Sequence, residues 1–591
     1  TRWCLALPAR RGLLSWMARL ALVVPASLAM AHSDLAPEPG AGELQLAWRS
    51  RHGDILTAVL DARGQAMPHT QRPLREDQRV PLGSLWKLVA YARLADDAQP
   101  ESDYVCRGRL KDEVYCCDTG QRIDRGTALW RSCGLYFQPE RIGWSHRPIG
   151  ATLAALPSGL QDLRDARHLT SRQTVPLADW LHWLAAWPTA SQRAAQDDLL
   201  AYWLQGPGRD QLGAVGSRLR LKTFTLERRD RGAEHERWAG ASGWLSDGRP
   251  LWLAARGSSK RVLPQWAPLV LRYIDQTEPR PELVPHPQAP CVDVHYLSRY
   301  PVAQVRDARG QRVEASTSAR PLPRGVYRLT LEHGNTLDIH SDQDLRWQRD
   351  AAGPPQLTGR LTLDEYVARV IDREGAPQPV AAARALAIAA RTYVLTHGQP
   401  QGGCLRIDDS SARQRVAPRP ASMAARRVSQ DTADLVLQGS LGLYHREQAR
   451  PGVMAWTQAV EQAHGGQPFD AILNQAYPGV VLSSLTGPKG QQCTALPQAQ
   501  AWLERQLPSW RQQLQGQAGY TPITKLQVCR LALGAPHAQQ GSMRVFVRGV
   551  QSLDERLTLA HEYLHLAFSG HPRGTQEGFI ENQARTLLGV D

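Results

Sequence analysis

The stretch LTLDEYVARVIDREGAPQPVAAARALAIAARTYVL, residues 361–395, predicts two helices joined by a short turn, and it places one carboxylate, Glu374, at that turn. In the second helix Ala381, Ala385 and Ala389 are spaced four residues apart, so their small side chains form a stripe on one face. Such a stripe allows another element to approach the helix backbone closely. We therefore expect Glu374 to lie at a tight helix junction.

The segment resembles the SpoIID/LytB family of peptidoglycan-cleaving domains, whose signature is an EYV-x-x-V-V-x-x-E-M-P helix followed by A-L-K-A-Q-A-V-A-A-R-T-Y-A. The resemblance extends to about residue 485, and it implies an α+β middle domain in which Glu374 is the catalytic glutamate. This chain departs from the signature at four places: Gly375 replaces Met, Ala376 is inserted before the proline, Arg384 replaces Lys and Leu386 replaces Gln.

A single glutamate suits lytic transglycosylation, in which one carboxyl group protonates the glycosidic oxygen and then deprotonates a sugar hydroxyl that attacks intramolecularly. This chemistry needs no second protein carboxylate, unlike that of ordinary glycoside hydrolases. The carboxyl group needs a pKa raised by apolar surroundings, so that it keeps its proton near neutrality. The alternative is that Glu374 is a surface residue at a helix C terminus, paired with Arg373 or Arg384.

The N-terminal region predicts export. Residues 1–31 combine arginines, an apolar run and the small-residue site Ala29-Met30-Ala31, a pattern typical of a secretory signal peptide. No later apolar run reaches the roughly 18 residues of a membrane span. Removing the four arginines of the signal changes the net charge from +14 to +10, which favours an anionic polymer such as the cell wall, although charge alone does not distinguish the wall from nucleic acid.

We therefore expect a soluble periplasmic or secreted protein whose partners are the glycan and stem peptides of peptidoglycan, with no nucleic acid and no stable membrane span. Eight cysteines remain after the signal, and an even number in an exported protein suggests disulfides. Pairing of Cys493 with Cys529 is plausible, as is pairing of Cys106 with Cys116 or Cys117, but the connectivity stays open. For Cys404, which follows His397 in the sequence, the alternative to a disulfide is that it belongs to a metal site.

The chain is too long for one core and is expected to divide into domains. The proline-rich run EPRPELVPHPQAP is the clearest linker, and a second break falls near GPKGQQC. The predicted division is a signal peptide at 1–31, a first domain at 32–277, a linker at 278–290, a SpoIID-like domain at 291–486 and a last domain at 487–591.

Lysine is rare in this chain, with six lysines among 70 basic residues, so each lysine is a candidate for chemistry that arginine cannot perform. Ser84 and Lys87 form an S-x-x-K motif at the start of a predicted helix, which places both side chains on one face. Ser132 follows in a loop, and Lys222 lies in the strand-like segment RLKTFTLE.

This order of motifs resembles penicillin-binding proteins and serine β-lactamases. The resemblance implies an α/β first domain in which Ser84 is acylated, Lys87 is the base, and Ser132 and Lys222 position and protonate the substrate. Phe224 stands where the family has a glycine that keeps the strand edge open, and Gly134 replaces the usual asparagine. The alternative is that the S-x-x-K motif is accidental.

The segment RLTLAHEYLHLAFSGHPRGTQEGFIENQARTLL predicts a zinc site in a small α+β domain. His561 and His565 lie four residues apart on one helical face, where both imidazoles can bind one zinc ion, and Glu562 would deprotonate the metal-bound water. The upstream segment MRVFVRGV alternates like an edge strand, where peptidases align substrates by strand addition.

The third zinc ligand has three candidates. Glu577 is favoured, because Glu577, Gly578 and Glu581 resemble the E-G-x-x-E helix of gluzincin peptidases, in which the first glutamate binds zinc. His571 and Glu581 are the rivals. The sequence thus predicts either an exported wall enzyme, a secreted metalloprotease that acts on protein substrates, or a non-catalytic wall-binding module built from degenerate enzyme folds.

Overall fold

A computed structural model shows a multidomain α+β protein. It describes residues 35–590 except for the following: 69, 71–72, 97–102, 109, 111–115, 118, 228–236, 279, 281–288, 318–319, 350–352, 402–403, 439–451, 479, 486–494, 524–525, 531–535, 540–542, 569–570, 572 and 575–576. The predicted signal peptide and Cys493 lie outside the described residues. None of the described helices has the length and apolar character needed to cross a membrane.

The first domain is built on a five-stranded antiparallel sheet with the order β2-β1-β9-β8-β7. The strands of this domain are β1 Leu44–Arg49, β2 Ile55–Leu60, β3 Arg79–Pro81, β4 Tyr104–Val105, β5 Arg122–Ile123, β6 Thr174–Pro176, β7 Leu219–Glu227, β8 Arg237–Leu245 and β9 Pro250–Arg256. Strand β7 lies at one edge of the sheet. It contains the segment RLKTFTLE, for which the sequence predicted a strand.

Helices cover both faces of this sheet. They are α1 Trp86–Ala95, α2 Arg125–Arg131, α3 Ala151–Ala154, α4 Leu177–Ala185, α5 Thr189–Leu204, α6 Leu212–Val215 and α7 Ser259–Thr277. A 3-10 turn, Gly83–Leu85, leads directly into α1 and carries Ser84. Leu85, Leu88 and Trp180 belong to a buried cluster on one face of the sheet, and this cluster holds the start of α1 in place.

The middle domain combines two larger sheets and a two-stranded one. A mixed sheet has the order β15-β16-β10-β18-β17, in which β10 pairs parallel to β18, and an antiparallel sheet has the order β12-β11-β13-β14. The strands are β10 Cys291–Tyr296, β11 Val302–Arg306, β12 Arg312–Val313, β13 Gly325–Leu331, β14 Thr336–Ser341, β15 Leu345–Arg349, β16 Pro355–Leu361, β17 Gln399–Gln401, β18 Cys404–Asp408, and the pair β19 Leu435–Gln438 and β20 Val481–Ser484.

The two helices predicted from the opening stretch are present. The helices of this domain are α8 Leu363–Glu374, α9 Val380–His397, α10 Met423–Asp431, α11 Trp456–His464 and α12 Phe469–Ala476. Thr362 caps α8 by accepting a hydrogen bond from the N–H of Glu365, and the helix ends at Glu374. Helix α9 buries two residues of the alanine stripe, Ala385 and Ala389, which are at most 4% exposed, whereas Ala381 near its start is half-buried.

The first and middle domains pack against each other through ion pairs and a shared core. Asp431, at the end of α10, accepts hydrogen bonds from Arg280 at 2.5 Å and from Arg384 at 2.6 Å, and lies 3.7 Å from Arg218. Beside it, Arg220 of β7 donates to Asp434 at 3.0 Å. One buried apolar cluster runs from the sheet of the first domain into the helices of the middle domain.

The last domain has its own apolar core. Its elements are helices α13 Pro497–Leu514, α14 Leu553–Ala567 and α15 Glu577–Leu588, with strands β21 Gln527–Arg530, β22 His537–Gln539 and β23 Arg544–Val547. Strand β23 lies between β21 and β22, so the predicted edge strand MRVFVRGV is wrong in position. Alternation between buried and exposed residues does not distinguish a central strand of a small sheet from an edge strand. The two edges of this sheet belong to β21 and β22.

Disulfides connect the cysteines in three described pairs: Cys106–Cys117, Cys116–Cys133 and Cys291–Cys404. Of the two pairings left open for Cys106, the structure has the one to Cys117. Cys404 is bonded to Cys291, so the alternative of a metal site at Cys404 and His397 is wrong. Cys529 is also disulfide-bonded.

Candidate active sites

Glu374 is the last residue of α8, and the chain turns there to begin α9 six residues later. Its carboxyl oxygen Oε1 accepts a hydrogen bond from the backbone N–H of Arg415 at 2.7 Å. Burial raises the pKa of Glu374 to about 7, against the opposing effects of the Arg415 N–H and the Arg415 charge. A carboxyl group of this kind is partly protonated at neutral pH, which general acid catalysis requires.

The alternative that pairs Glu374 with Arg384 is wrong. The guanidinium of Arg384 instead donates to the backbone oxygen of Gly213 at 2.7 Å and to the carboxylate of Asp431. The position of Arg384 in α9 did not reveal these neighbours, because Gly213 belongs to the first domain and Asp431 lies 47 residues further along the chain.

Two departures from the family signature compensate each other in space. A Cβ atom at Gly375 would lie 2.7 Å from Cδ2 of Leu386 and 3.1 Å from Cζ3 of Trp456. Because Gly375 has no side chain, Leu386 and Trp456 occupy the space beside the helix junction. Apolar atoms of Leu386 and Trp456 therefore line one side of the end of α8, and this apolar packing is consistent with the raised pKa of the neighbouring Glu374.

The segment 409–419 forms a wall next to Glu374, and the sequence analysis did not single it out. Asp409 accepts a hydrogen bond from the N–H of Val416 at 3.0 Å, and the hydroxyl of Tyr366 donates to Oε1 of Gln414 at 2.5 Å. Burial raises the pKa of Asp409. The only sign of this segment in the sequence is the arginine-rich run ARQRVAPR, which by itself indicates an exposed loop.

The structure brings Ser84, Lys87 and Ser132 together in the first domain. Nζ of Lys87 lies 3.4 Å from Oγ of Ser84 and 3.1 Å from Oγ of Ser132, and the lysine side chain is buried. Ser132 follows α2 with a backbone φ of 64°, a left-handed conformation that is uncommon for serine. The structure therefore brings two serines to one lysine, while the catalytic roles of these residues stay predictions.

Lys222 lies on β7 and is fully buried, and its Nζ donates to the backbone oxygen of Thr223 at 2.8 Å. Burial lowers its pKa well below the usual lysine range, and the charge of Lys87 lowers it further. Phe224 follows two residues along the same face, where it stacks on Trp252 and lies against the backbone of Gly83. The Phe224 side chain therefore occupies the space next to Gly83 and Ser84 that a glycine would leave open.

In the last domain His561 and His565 converge, with their Nε2 atoms 3.1 Å apart. The Nδ1 atom of His561 lies 3.2 Å from Oε2 of Glu581, and Nδ1 of His565 lies 3.0 Å from the backbone oxygen of Gly574. When both Nδ1 atoms donate, both Nε2 atoms are left as acceptors, which is the tautomer that binds metal. Glu562 is buried on the same helix.

Neither His571 nor Glu581 completes a three-ligand set with the two histidines among the described residues. His571 accepts a hydrogen bond from the N–H of Arg573 and stacks on Phe579, whereas Glu581 holds Nδ1 of His561. The side chain of Glu577 lies outside the described residues, so its assignment as third ligand stays a prediction.

Comparison with known proteins assigns families to parts of the chain. Residues 354–467 match the family model SpoIID, described as "Stage II sporulation protein", so the middle domain is a SpoIID domain as predicted. Residues 452–573 match DUF2300, described as "Predicted secreted protein". A protein of Escherichia coli K-12, YfaQ, is 39% identical over 527 residues, which span 87% of this chain and 91% of that protein.

Solved structures with similarity to this chain include three from the penicillin-recognising group. The C-terminal domain of the Bacillus licheniformis BlaR penicillin receptor is 14% identical and covers 41% of this chain and 92% of its own, with a TM-score of 0.25. The transpeptidase domain of FtsI4 from Legionella pneumophila is 12% identical over 39% and 88%, and a β-lactamase from Xanthomonas campestris is 16% identical over 40% and 93%, both with TM-scores of 0.25.

Proposed function

The chain belongs to the family of the Escherichia coli protein YfaQ, and from that premise we propose that it is an exported, periplasmic or secreted, cell-wall protein that cleaves peptidoglycan glycan strands at Glu374. The observation that carries the proposal is the carboxyl group of Glu374, which lies at the helix junction of the SpoIID domain with a pKa of about 7. The description of the DUF2300 family as secreted supports export.

The proposed reaction uses the two protonation states of one carboxyl group. Protonated Glu374 donates its proton to the glycosidic oxygen while the bond from the anomeric carbon to that oxygen breaks. The carboxylate then takes a proton from a hydroxyl of the same sugar as that oxygen bonds to the anomeric carbon, which leaves an anhydro-sugar end and restores the acid. A pKa near 7 favours both steps at neutral pH, and the Arg415 N–H fixes the orientation of the carboxyl group.

Purified sacculi test this proposal. We expect the wild-type full chain to release fragments with anhydro-sugar ends, and Glu374→Gln to reduce their release by a factor of about a hundred or more, the usual scale for losing a general acid. Glu461→Gln changes an exposed glutamate of the same domain and serves as the matched control. Undiminished anhydro fragments from Glu374→Gln would refute the assignment.

A zinc-dependent peptidase is the second candidate function, and the distance between the two imidazoles favours it. Two nitrogens bound to one tetrahedral zinc at about 2.0–2.1 Å lie about 3.3–3.4 Å apart, close to the observed 3.1 Å between the Nε2 atoms. His561, His565 and Glu577 would hold the ion, which supplies an activated water molecule when bound. Glu581 and Gly574 orient the imidazoles, and Glu562 would accept the water's proton, for cleavage of stem peptides or of protein substrates.

Metal analysis of the purified chain tests this site without relying on activity. We expect about one equivalent of zinc, its loss in His561→Ala, and its retention in His571→Ala, which serves as the histidine control. Glu562→Gln should keep the zinc but lose peptide cleavage, because its carboxylate is not a ligand in this assignment. Wild-type protein that contains no zinc after purification in zinc-supplemented buffer would exclude the proposal.

For the first domain we propose recognition of wall peptide at Ser84, with Lys87 as base and Ser132 and Lys222 as positioning groups. The lysine lies within hydrogen-bonding distance of both serines, which supports acylation. Phe224 beside Ser84 supports the alternative, a binding module that is acylated slowly or not at all. Labelling by a β-lactam probe separates the two.

A further inference from the structure

The segment after Arg415 runs along the end of α8, where the N–H groups of Ala417 and Ser422 donate to the backbone oxygen of Arg369 and the carboxylate of Asp372. Three exposed arginines lie on these two segments near Glu374. Arg373 precedes it in α8, Arg415 donates its backbone N–H to it, and Arg419 follows four residues later on the same segment. Burial lowers the pKa of Arg373, and the charges of Arg415 and Arg419 lower it further. Like charges repel one another, so an anion bound between these arginines would be attracted by all of them.

Other arginines of the same domain are neutralised within the fold. Arg369 pairs with Glu365 at 2.9 Å, Arg391 with Asp364 at 3.2 Å, and Arg426 with Glu365 at 2.8 Å. In the part of the chain that the structure describes, no ion pair involves Arg373, Arg415 or Arg419. Asp409 lies near two of them, but one carboxylate offsets only part of three positive charges.

The backbone that carries Arg415 and Arg419 is held by buried contacts. Gln414 and Val416 point inward, where they meet the hydroxyl of Tyr366 and the carboxylate of Asp409. The N–H of Ala417 donates to the backbone oxygen of Arg369 at 3.3 Å. Arg415 and Arg419 are exposed on this fixed segment, so binding an anion there does not require the backbone to become ordered.

We propose that Arg373, Arg415 and Arg419 form an anion subsite that binds a carboxylate of the glycan strand next to the bond that Glu374 cleaves. Arginine matches this ligand, because its planar guanidinium donates two parallel hydrogen bonds to a carboxylate. The inference rests on the proposed function for its substrate. It adds that the strand is recognised through charge as well as through its sugar rings.

The carboxylate has two possible sources on peptidoglycan. One is the lactyl group of a muramic residue without its stem peptide, and the other is an acidic group of the stem peptide itself. Binding by the full-length Glu374→Gln protein distinguishes them with three probes: glycan strands freed of peptide by an amidase, soluble strands that retain their peptides, and neutral chitin oligomers. Calorimetry gives the affinity for each probe.

We expect Arg415→Gln and Arg419→Gln, each added to Glu374→Gln, to weaken binding of one carboxylate-bearing probe about tenfold or more and to leave chitin binding unchanged. The probe that is affected identifies the source. Arg413→Gln changes another exposed arginine of the same segment and should have no effect. Circular dichroism melts confirm that each variant is folded.

Equal losses on the neutral oligomer, or no loss on either charged probe, would overturn the subsite. Blocking the carboxylates of the affected probe by amidation should reproduce the effect of the arginine variants, and unchanged binding after amidation would also overturn it. Cleavage is measured separately. If Glu374→Gln still cleaves sacculi while the arginine variants weaken binding, the reaction assigned to Glu374 fails and the subsite stands.

Discussion

Folding buries the carboxyl group of Glu374 away from water, and this burial makes the stability of its domain depend on pH. An ordinary glutamate has a pKa of 4.5, whereas burial raises that of Glu374 to about 7. The folded chain therefore binds this proton more tightly than the unfolded chain does. The contribution to stability is complete below about pH 4.5 and is lost as the pH rises through 7.

We therefore predict that Glu374→Gln stabilises the protein at pH 8 by about 2 kcal/mol relative to wild type, and has little effect at pH 5. The reason is that glutamine stays neutral at both values, while Glu374 is charged only at the higher one. Urea denaturation at the two pH values measures the difference. A pH-independent effect, or the same effect in the exposed control Glu461→Gln, would contradict the prediction.

At Ser84 we predict covalent labelling by a fluorescent penicillin that depends on Lys87. Lys87→Ala should slow the labelling by a factor of about a hundred, because the lysine is the base within reach of the serine, and Ser84→Ala should abolish it. Gel fluorescence measures the rate. No labelling of the folded wild type after prolonged incubation would assign the domain to binding without acylation.

Individual residues were predictable where a motif fixes them locally. Ser84 with Lys87, and His561 with His565, lie within one helical turn of each other, so spacing alone placed them together. Arg415 was not predictable, because it meets Glu374 across 41 positions of sequence through its backbone. A backbone donor leaves no residue-type signal.

At the scale of elements, the junction of α8 and α9 is a packing unit formed by Gly375, Leu386 and Trp456. We predict that Gly375→Ala lowers stability by about 1–2 kcal/mol, because the new methyl group enters occupied space. The penalty should shrink in a Leu386→Ala background, where that space is available. A double-mutant cycle by urea denaturation measures the coupling, and strictly additive effects would disprove the contact.

The type of element was easier to predict than its neighbours. The opening stretch correctly predicted two helices, because its apolar spacing and the Thr362 cap act within one turn. The position of β23 at the centre of its sheet was missed, because β21 and β22 that flank it have little apolar character of their own. Pairing partners of short strands depend on tertiary contacts rather than on the strand's own pattern.

At the scale of the whole molecule, Asp431 connects the first and middle domains through Arg218, Arg280 and Arg384. We predict that Asp431→Asn destabilises the protein by about 2–3 kcal/mol, because it leaves Arg384 without a carboxylate and leaves Arg218 and Arg280 with only Asp275. Calorimetry should show a lower or divided unfolding transition. Asp470→Asn, which breaks the single, more exposed pair with Arg209, is the control and should cost about 1 kcal/mol or less. Equal effects of the two variants would contradict this role.

This docking of domains was not predictable from the sequence. Arg384 looked like a departure from a family signature, and only the position of Gly213 and Asp431 explains it. Charged residues that pair across domains have no periodicity to reveal them. In the sequence, the apolar residues of the shared cluster cannot be distinguished from residues that pack only within their own domain.

The apolar cluster that runs through the first two domains has a practical consequence for dissecting the protein. Cutting the chain at the proline-rich segment would expose an apolar surface on each half, and we expect the two fragments to be insoluble when they are expressed separately. Evolution faces the same constraint. Joining either half to a different partner would require its apolar surface to be replaced by polar residues.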